Sequence, residues 1–284
     1  MKIFGIVIGI ILVIIGALTV WFNIGYSPAS AEFKRDTEEL LAHGSAEPTG
    51  RVFTEEDFAE MPETVRRCME HCGYIGTPVM SSMKMEYHDV AFRQGKTGPS
   101  LNIDYTQYDF ADEPCRLAFI DSSMFGIPFE GYDYYRDGKG GMKGVIAKAV
   151  TLFDQTGEEM DKACLATYLA ECMFMPSALL SDDVTLEELG DRRVRATVTY
   201  GGQTVSGIFS FNEQYEMTSF VTDDRAATGT DGTVEHIPWT ACCADYAASP
   251  DGILLPTVFR AVWNYPDGDF VYFDGAISSV TYRY

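Results

Sequence analysis

MKMEYH at residues 83–88 and LNIDYT at residues 101–106 decide the fold, because each stretch alternates apolar with polar side chains. A period of two places the apolar side chains on one face of a strand and the polar ones on the other. That arrangement is typical of half-buried antiparallel sheets. We therefore predict antiparallel β-structure from residue 78 onward.

Similar runs continue to the C-terminus and are separated by turn sequences. Residues 137–140, Asp-Gly-Lys-Gly, are the plainest hairpin turn, and Gly201-Gly202 joins two further strands. The pattern predicts about ten strands in all. Because so many consecutive antiparallel strands rarely stay flat, we expect a large curved sheet, either an open half-barrel or a barrel. The predicted fold class is mainly β (α+β).

One helical segment interrupts the strands at residues 158–175, where apolar side chains fall on one broad face before Pro176. We expect that face to pack on the sheet as an inserted helix. Shorter helices are predicted after Thr54 and after Pro62. We assign residues 54–284 to a single globular domain.

The N-terminus has a different character, because residues 3–22 contain no charged side chain. A helix of this length spans about 30 Å, the thickness of the hydrocarbon core of a bilayer. We predict a transmembrane anchor over residues 1–26 and a juxtamembrane helix and linker over residues 27–53. The alternative is a cleaved signal peptide, since Ala29-Ser30-Ala31 resembles a cleavage site. In either case we expect the globular domain outside the cytoplasm. We favour the anchor, which makes the chain a single-pass membrane protein.

Composition limits the possible partners. The net charge of −21 argues against nucleic acid, because binding to phosphates needs a basic surface. The seven cysteines are an odd number, so at least one is unpaired in a monomer. Cys68 and Cys72 flank His71, but no second pair stands at the spacing of a metal site. We predict no metal and no cofactor, and the sequence does not identify protein partners.

The predicted curved sheet and its helix would enclose space between them. Aromatic residues make up 13% of the chain and there are twelve methionines, side chains that could line an adaptable apolar cavity or fill an ordinary core. We expect an apolar or lipid-like ligand there. The candidate lining residues are Met83, Met85, Tyr87, Tyr105, Phe119, Tyr132, Tyr134, Tyr168 and Trp239.

Two other functions remain open. The chain has no motif of a hydrolase, a zinc protease or a phosphate-binding loop, so no catalytic residue is assigned. Glu171, on the flank of the predicted helix, could act as an acid or base in a cell-envelope enzyme if burial raised its pKa. Alternatively, it pairs with Arg193, Arg195 or a backbone amide. The third possibility is a structural interaction module.

One set of segments comprises residues 61–68, Gly73, 76–78, 134–140, 165–171, 175–180, 238–239 and 266–270. These segments resemble a family of membrane-anchored bacterial proteins of unknown function, with departures at Cys68 and at residues 173–175, where an aromatic residue is expected. The resemblance runs from about residue 60 to the C-terminus and implies an architecture and a bacterial membrane location, but no activity. More remotely, the order of strands and helix is similar to the lipoprotein-carrier fold, an open barrel with a helical lid that holds acyl chains.

Overall fold

The computed structural model describes residues 2–43, 50–229 and 232–284. Helix α1, Lys2–Asn23, is apolar and long enough to cross a membrane, and residues 3–20 are exposed. Helix α2 follows at Pro28–His43. Most of the predicted linker, residues 44–49, lies outside the described residues. The domain boundaries stay predictions.

A short 3₁₀ helix, Glu55–Phe58, and helix α3, Glu63–His71, precede the sheet. The first begins with a capping box, in which the Thr54 amide donates to Asp57 Oδ2 at 2.7 Å. Helix α3 buries Val65, Cys68 and Met69, the apolar stripe that the i, i+3, i+4 spacing predicts. These two helices close one end of the core.

The described residues form fifteen strands. They are β1 Ser82–Arg93, β2 Ser100–Phe110, β3 Cys115–Met124, β4 Ile127–Arg136, β5 Lys139–Ile146, β6 Val150–Thr156, β7 Val184–Gly190, β8 Arg193–Tyr200, β9 Gln203–Phe211, β10 Met217–Thr222, β11 Ala227–Thr228, β12 Val234–Glu235, β13 Trp239–Ala248, β14 Leu254–Tyr265 and β15 Gly268–Arg283. Strands β11 and β12 form a separate pair, and the other thirteen make one antiparallel sheet. The mainly β class and the large antiparallel sheet are confirmed, with more strands than the ten predicted.

The sheet consists of two meanders that meet where β1 pairs with β15. The order of its strands is β6-β5-β4-β3-β2-β1-β15-β14-β13-β10-β9-β8-β7, so β6 and β7 are the two edge strands. The sheet curves until its β4–β5 and β8–β9 turns touch: a Cβ built on Gly138 would lie 2.6 Å from the Cα of Gly201. Since β6 and β7 do not pair, the barrel stays open.

Helix α4, Glu158–Glu171, carries the chain from one edge strand to the other. Eleven of its fourteen residues are buried, because it lies in the trough of the curved sheet. The α-helix ends at Glu171, before the predicted end at residue 175. The chain continues as a 3₁₀ turn, Cys172–Phe174, and helix α5, Pro176–Leu179.

Helix α2 covers the outer face of the sheet at β3 and β4. The Phe33 ring lies 5.5 Å from Phe119 and 5.9 Å from Tyr132, centroid to centroid. Leu117 is fully buried in the same small cluster. The sheet therefore has apolar side chains on both faces in this region, one set under α2 and one set toward α4.

The strand ends on one side of the sheet, here called the anchor-side edge, carry the β1–β2, β3–β4, β5–β6 and β14–β15 connections and the segments 223–229 and 232–238. Helix α1 ends beside it. The indole nitrogen of Trp21 donates to the Ala147 carbonyl at 2.8 Å, and Lys148 Nζ donates to the Ile24 carbonyl at 2.6 Å. The apolar helix thus leads directly to this edge.

Candidate functional site

A cavity of about 600 Å³ lies between α4 and the curved sheet. Helix α4 lines it with Met160, Ala163, Cys164 and Thr167. The cavity is also lined by residues 93–96 and 227–229, Glu235, Tyr265 and Asp267, all from connections of the anchor-side edge or the strand ends beside them. Part of the cavity wall therefore lies at the edge where α1 ends.

The cavity walls combine aromatic rings with smaller apolar and polar side chains. The rings are those of Phe92, Phe153, Trp263, Tyr265, Phe270 and Tyr272. The rings of Trp263 and Tyr272 stack with centroids 5.9 Å apart. Large apolar walls with a few polar groups are typical of small-molecule sites, and the volume is within the usual range for them.

Arg225 is the most notable polar group on this wall. Its Cζ lies 4.5 Å from the ring centroid of Trp239 and 5.0 Å from that of Trp263. Its Nε donates to Thr167 Oγ1 at 3.1 Å and its Nη1 to the Tyr272 hydroxyl at 3.0 Å. These contacts fix the position of the guanidinium group.

The structure places none of the nine candidate lining residues on this wall. Six are buried in the main core, namely Met83, Met85, Tyr87, Tyr105, Tyr168 and Trp239. Three lie on the opposite face of the sheet under α2, namely Phe119, Tyr132 and Tyr134. The first group packs together, as the 5.7 Å separation of the Tyr87 and Tyr105 rings illustrates. Alternation along a strand indicates which side chains share a face, but it does not show whether a given side chain is covered by the core or lines a cavity.

A buried polar network lies behind the cavity, around Arg116 of β3. Arg116 Nε donates to Glu171 Oε2 at 2.9 Å, and its Nη1 donates to Asp133 Oδ2 at 2.8 Å. Gln107 Nε2 donates to Asp109 Oδ2 at 2.6 Å and to Glu171 Oε2 at 2.7 Å. Arg116 also donates to Gln107 and to the Tyr105 hydroxyl. Glu171 therefore pairs with Arg116, not with Arg193 or Arg195.

This network contains three carboxylates for one guanidinium. Burial raises the pKa of Asp109 well above its ordinary value, and the nearby charge of Glu171 raises it further. Burial also raises the pKa of Glu171, although Arg116 opposes that shift. The neutral form of Asp109 is consequently favoured, and the two adjacent carboxyl groups are able to share a proton.

The network meets the cavity only through Asp133, whose side chain is 19% exposed. Glu171 is 4% exposed and is absent from the cavity wall. A ligand in the cavity would not touch Glu171, so direct acid or base catalysis there is disfavoured. The geometry supports a structural role in which α4 is fixed to β2 and β3.

Asp109→Asn tests the charge balance of this network. Because the folded pKa of Asp109 is raised, its proton contributes stability that is fully present below about pH 4 and is lost as pH rises through the folded pKa. Asparagine does not titrate, so the variant does not lose this stability as pH rises. We expect the variant and the wild type to unfold at similar urea concentrations at about pH 4. Above about pH 4, the free energy of unfolding of the variant should rise relative to that of the wild type by about 1.4 kcal/mol for each pH unit, up to the pKa of Asp109 in the folded protein.

The measurement is urea unfolding of the full chain in detergent, followed by tryptophan fluorescence between about pH 4 and pH 8. Asp182→Asn is the control, because Asp182 is exposed. The difference between the two variants should widen with pH. If the difference in the free energy of unfolding between the two variants stayed constant with pH, Asp109 would be ionised in the folded protein.

Within the described ranges, no group of three His, Cys, Asp or Glu residues could hold a metal ion. All seven cysteines are free thiols. Cys68 Sγ and Cys72 Sγ lie 3.9 Å apart inside the core, and His71 is paired with Glu216 instead of with them. The spacing of these cysteines therefore reflects core packing on α3.

The fold has a low-similarity match among solved structures. It is a crystal structure described as an outer membrane lipoprotein-sorting protein domain from Vibrio parahaemolyticus, with 9% sequence identity and a TM-score of 0.43. The match covers 77% of this chain and 92% of that one. No curated protein matches the sequence. The profile of a family of unknown function (DUF6544) matches residues 51–275. The resemblance to a family of unknown function is thus confirmed, and the chain belongs to this family.

Proposed function

We propose that this protein is anchored in the membrane by α1 and binds an apolar or lipid-like ligand, outside the cytoplasm, in the cavity between α4 and the sheet. The cavity carries this proposal. It offers about 600 Å³ behind walls made largely of aromatic rings, methionines and small residues. An apolar ligand that entered it would be removed from water over most of its surface.

The exposed surface of α1 supports the membrane anchor. Ile3 is 79% exposed and Val13 is 73% exposed, and nothing in the described chain covers residues 3–20 of this helix. A helix of 22 residues with so much uncovered apolar surface is stable only in an apolar environment, which a bilayer provides.

The position of part of the cavity wall at the anchor-side edge supports a ligand that comes from the bilayer. Trp21 lies at the end of α1, where an indole prefers the membrane interface, and it contacts the turn after β5. The same edge exposes Phe125, Val150 and Leu152, whose exposed fractions are 93%, 55% and 49%. A lipid would therefore have only a short path between the membrane surface and the cavity.

Filling the cavity tests the proposal. Ala163→Phe and Ala227→Trp add large side chains from two different walls, and we expect both to exclude most of the bound lipid. The full chain is purified in detergent, and organic extracts are compared by mass spectrometry at equal protein concentration. Lipid that surrounds α1 is common to all samples and cancels in the comparison.

Ala247→Trp is the matched control, since Ala247 is exposed on β13 and does not line the cavity. It should retain the wild-type lipid content. The proposal is wrong if the two cavity variants retain as much lipid as the control. Because the two substitutions fill the cavity from different walls, the test can still be made if one of the variants does not fold.

A further inference from the structure

Arg225 has more hydrogen-bond donors than partners. A guanidinium has five N–H groups, and this one uses Nε toward Thr167 and one Nη1 proton toward Tyr272. Within the part of the chain that the structure describes, the other three N–H groups have no acceptor. The group is nevertheless held in place, because its face packs on two tryptophan rings.

The charge of Arg225 also has no counter-charge in contact with it among the residues that the structure describes. The acidic residues on the cavity wall all have other partners: Asp133 pairs with Arg116 at 2.8 Å, Asp267 with Lys96 at 2.7 Å, and Glu235 accepts from the Tyr265 hydroxyl at 3.2 Å. Among the described residues, no carboxylate lies within 4.0 Å of the Arg225 guanidinium nitrogens. A half-buried cation beside apolar walls favours an anion that neutralises it.

We propose that Arg225 is the headgroup site of the cavity and selects an amphiphile with an acidic head, a carboxylate or a phosphate. The planar fork of arginine binds either group through two parallel hydrogen bonds. The apolar chain of the ligand would lie along Phe92, Phe153 and Phe270. This assignment rests on the proposed function, because it names the chemical class of the ligand in the same cavity.

The test compares two probes that differ only in the head. Pyrene-labelled hexadecanoic acid and the corresponding alcohol are titrated into the full chain in phosphatidylcholine nanodiscs at about pH 8, and the signal of empty nanodiscs is subtracted. We expect the acid to bind at least about tenfold more tightly than the alcohol. Inorganic phosphate without an apolar chain should not displace the acid.

Arg225→Gln should reduce the affinity for the acid to that for the alcohol and leave the affinity for the alcohol unchanged. Arg225→Lys should retain part of the preference, since it keeps the charge but loses the fork. Arg260→Gln is the control, because Arg260 pairs with Asp274 outside the cavity and should keep the full preference.

Equal affinities of the wild type for acid and alcohol would overturn the headgroup site and leave the proposed function intact. Displacement of the acid by inorganic phosphate would also overturn it and would indicate a site for a free anion. If neither probe bound, the proposed function itself would fail. The wild-type comparison decides the matter even if a variant does not fold.

Discussion

Replacing Arg116 with methionine is expected to lower the free energy of unfolding by about 3–5 kcal/mol. Arg116 is 3% exposed, and its guanidinium is the cation that faces Glu171 and Asp133 inside the fold. Burial favours a neutral Arg116, but the neighbouring carboxylates, Glu171 above all, raise its pKa well above the usual value. Methionine would fill similar space while leaving these carboxyl groups without a cation.

Chemical denaturation of the full chain in detergent measures this loss. Arg195→Met is the matched control, because Arg195 pairs with Glu187 at 2.6 Å on the surface and should cost at most about 1 kcal/mol. The double variant Arg116→Met with Glu171→Met should recover much of the stability, since it removes both charges of one pair. Equal losses for Arg116→Met and Arg195→Met would contradict the structural role of the network.

The alternation of apolar and polar residues predicted the strands well, but the sequence did not predict every turn. Residues 142–150 suggest one continuous strand, whereas the structure has two strands joined at Ala147 and Lys148. Both of these residues adopt positive φ, 56° and 59°. Such a turn normally contains glycine or asparagine, and without them the local sequence gives no turn signal. Strand β7 gives a weak strand signal for a different reason, because its acidic residues Glu187 and Glu188 are also typical of a solvated segment.

The sequence indicated a cavity between helix and sheet but not the residues on its wall. Alternation assigns Tyr105 to the inner face, yet cannot show that its ring is covered by Tyr87 and Phe273. Phe119 and Tyr132 look equally suitable, and only tertiary structure shows α2 packed against them. Arg225 lies in a polar connection without periodicity, so its role depends wholly on contacts distant in sequence.

The buried network was more accessible to prediction than the cavity wall. Asp109 and Arg116 stand directly opposite each other in the β2–β3 hairpin. A hairpin drawn around residues 111–114 would have paired these opposite charges and placed both on the inner face. The helix residue that joins them, Glu171, cannot be assigned from local pattern, because its partner lies 55 positions earlier in the chain.

Trp239→Ala is expected to combine a loss of stability with a loss of ligand selectivity. The indole is 1% exposed, so truncation should cost about 3–5 kcal/mol. Its ring supports the Arg225 guanidinium, and its Nε1 donates to the Tyr272 hydroxyl at 3.0 Å. Without the ring, the guanidinium would lose the aromatic ring nearest to it and would be held less firmly toward the cavity. The preference for the acid over the alcohol should then decrease, which the nanodisc titration measures.

Phe220→Ala separates the two effects. Phe220 is fully buried and packs on Phe209 with centroids 4.7 Å apart, but it does not line the cavity or contact Arg225. It should lose a similar amount of stability, about 3–5 kcal/mol, and keep the wild-type preference for the acid. If both variants lost the preference, selectivity would depend on the overall stability of the sheet. If only Trp239→Ala lost the preference for the acid, the tryptophan is a positioning residue for Arg225. Phe220→Ala would then show that an equal loss of packing elsewhere does not affect recognition of the acidic head.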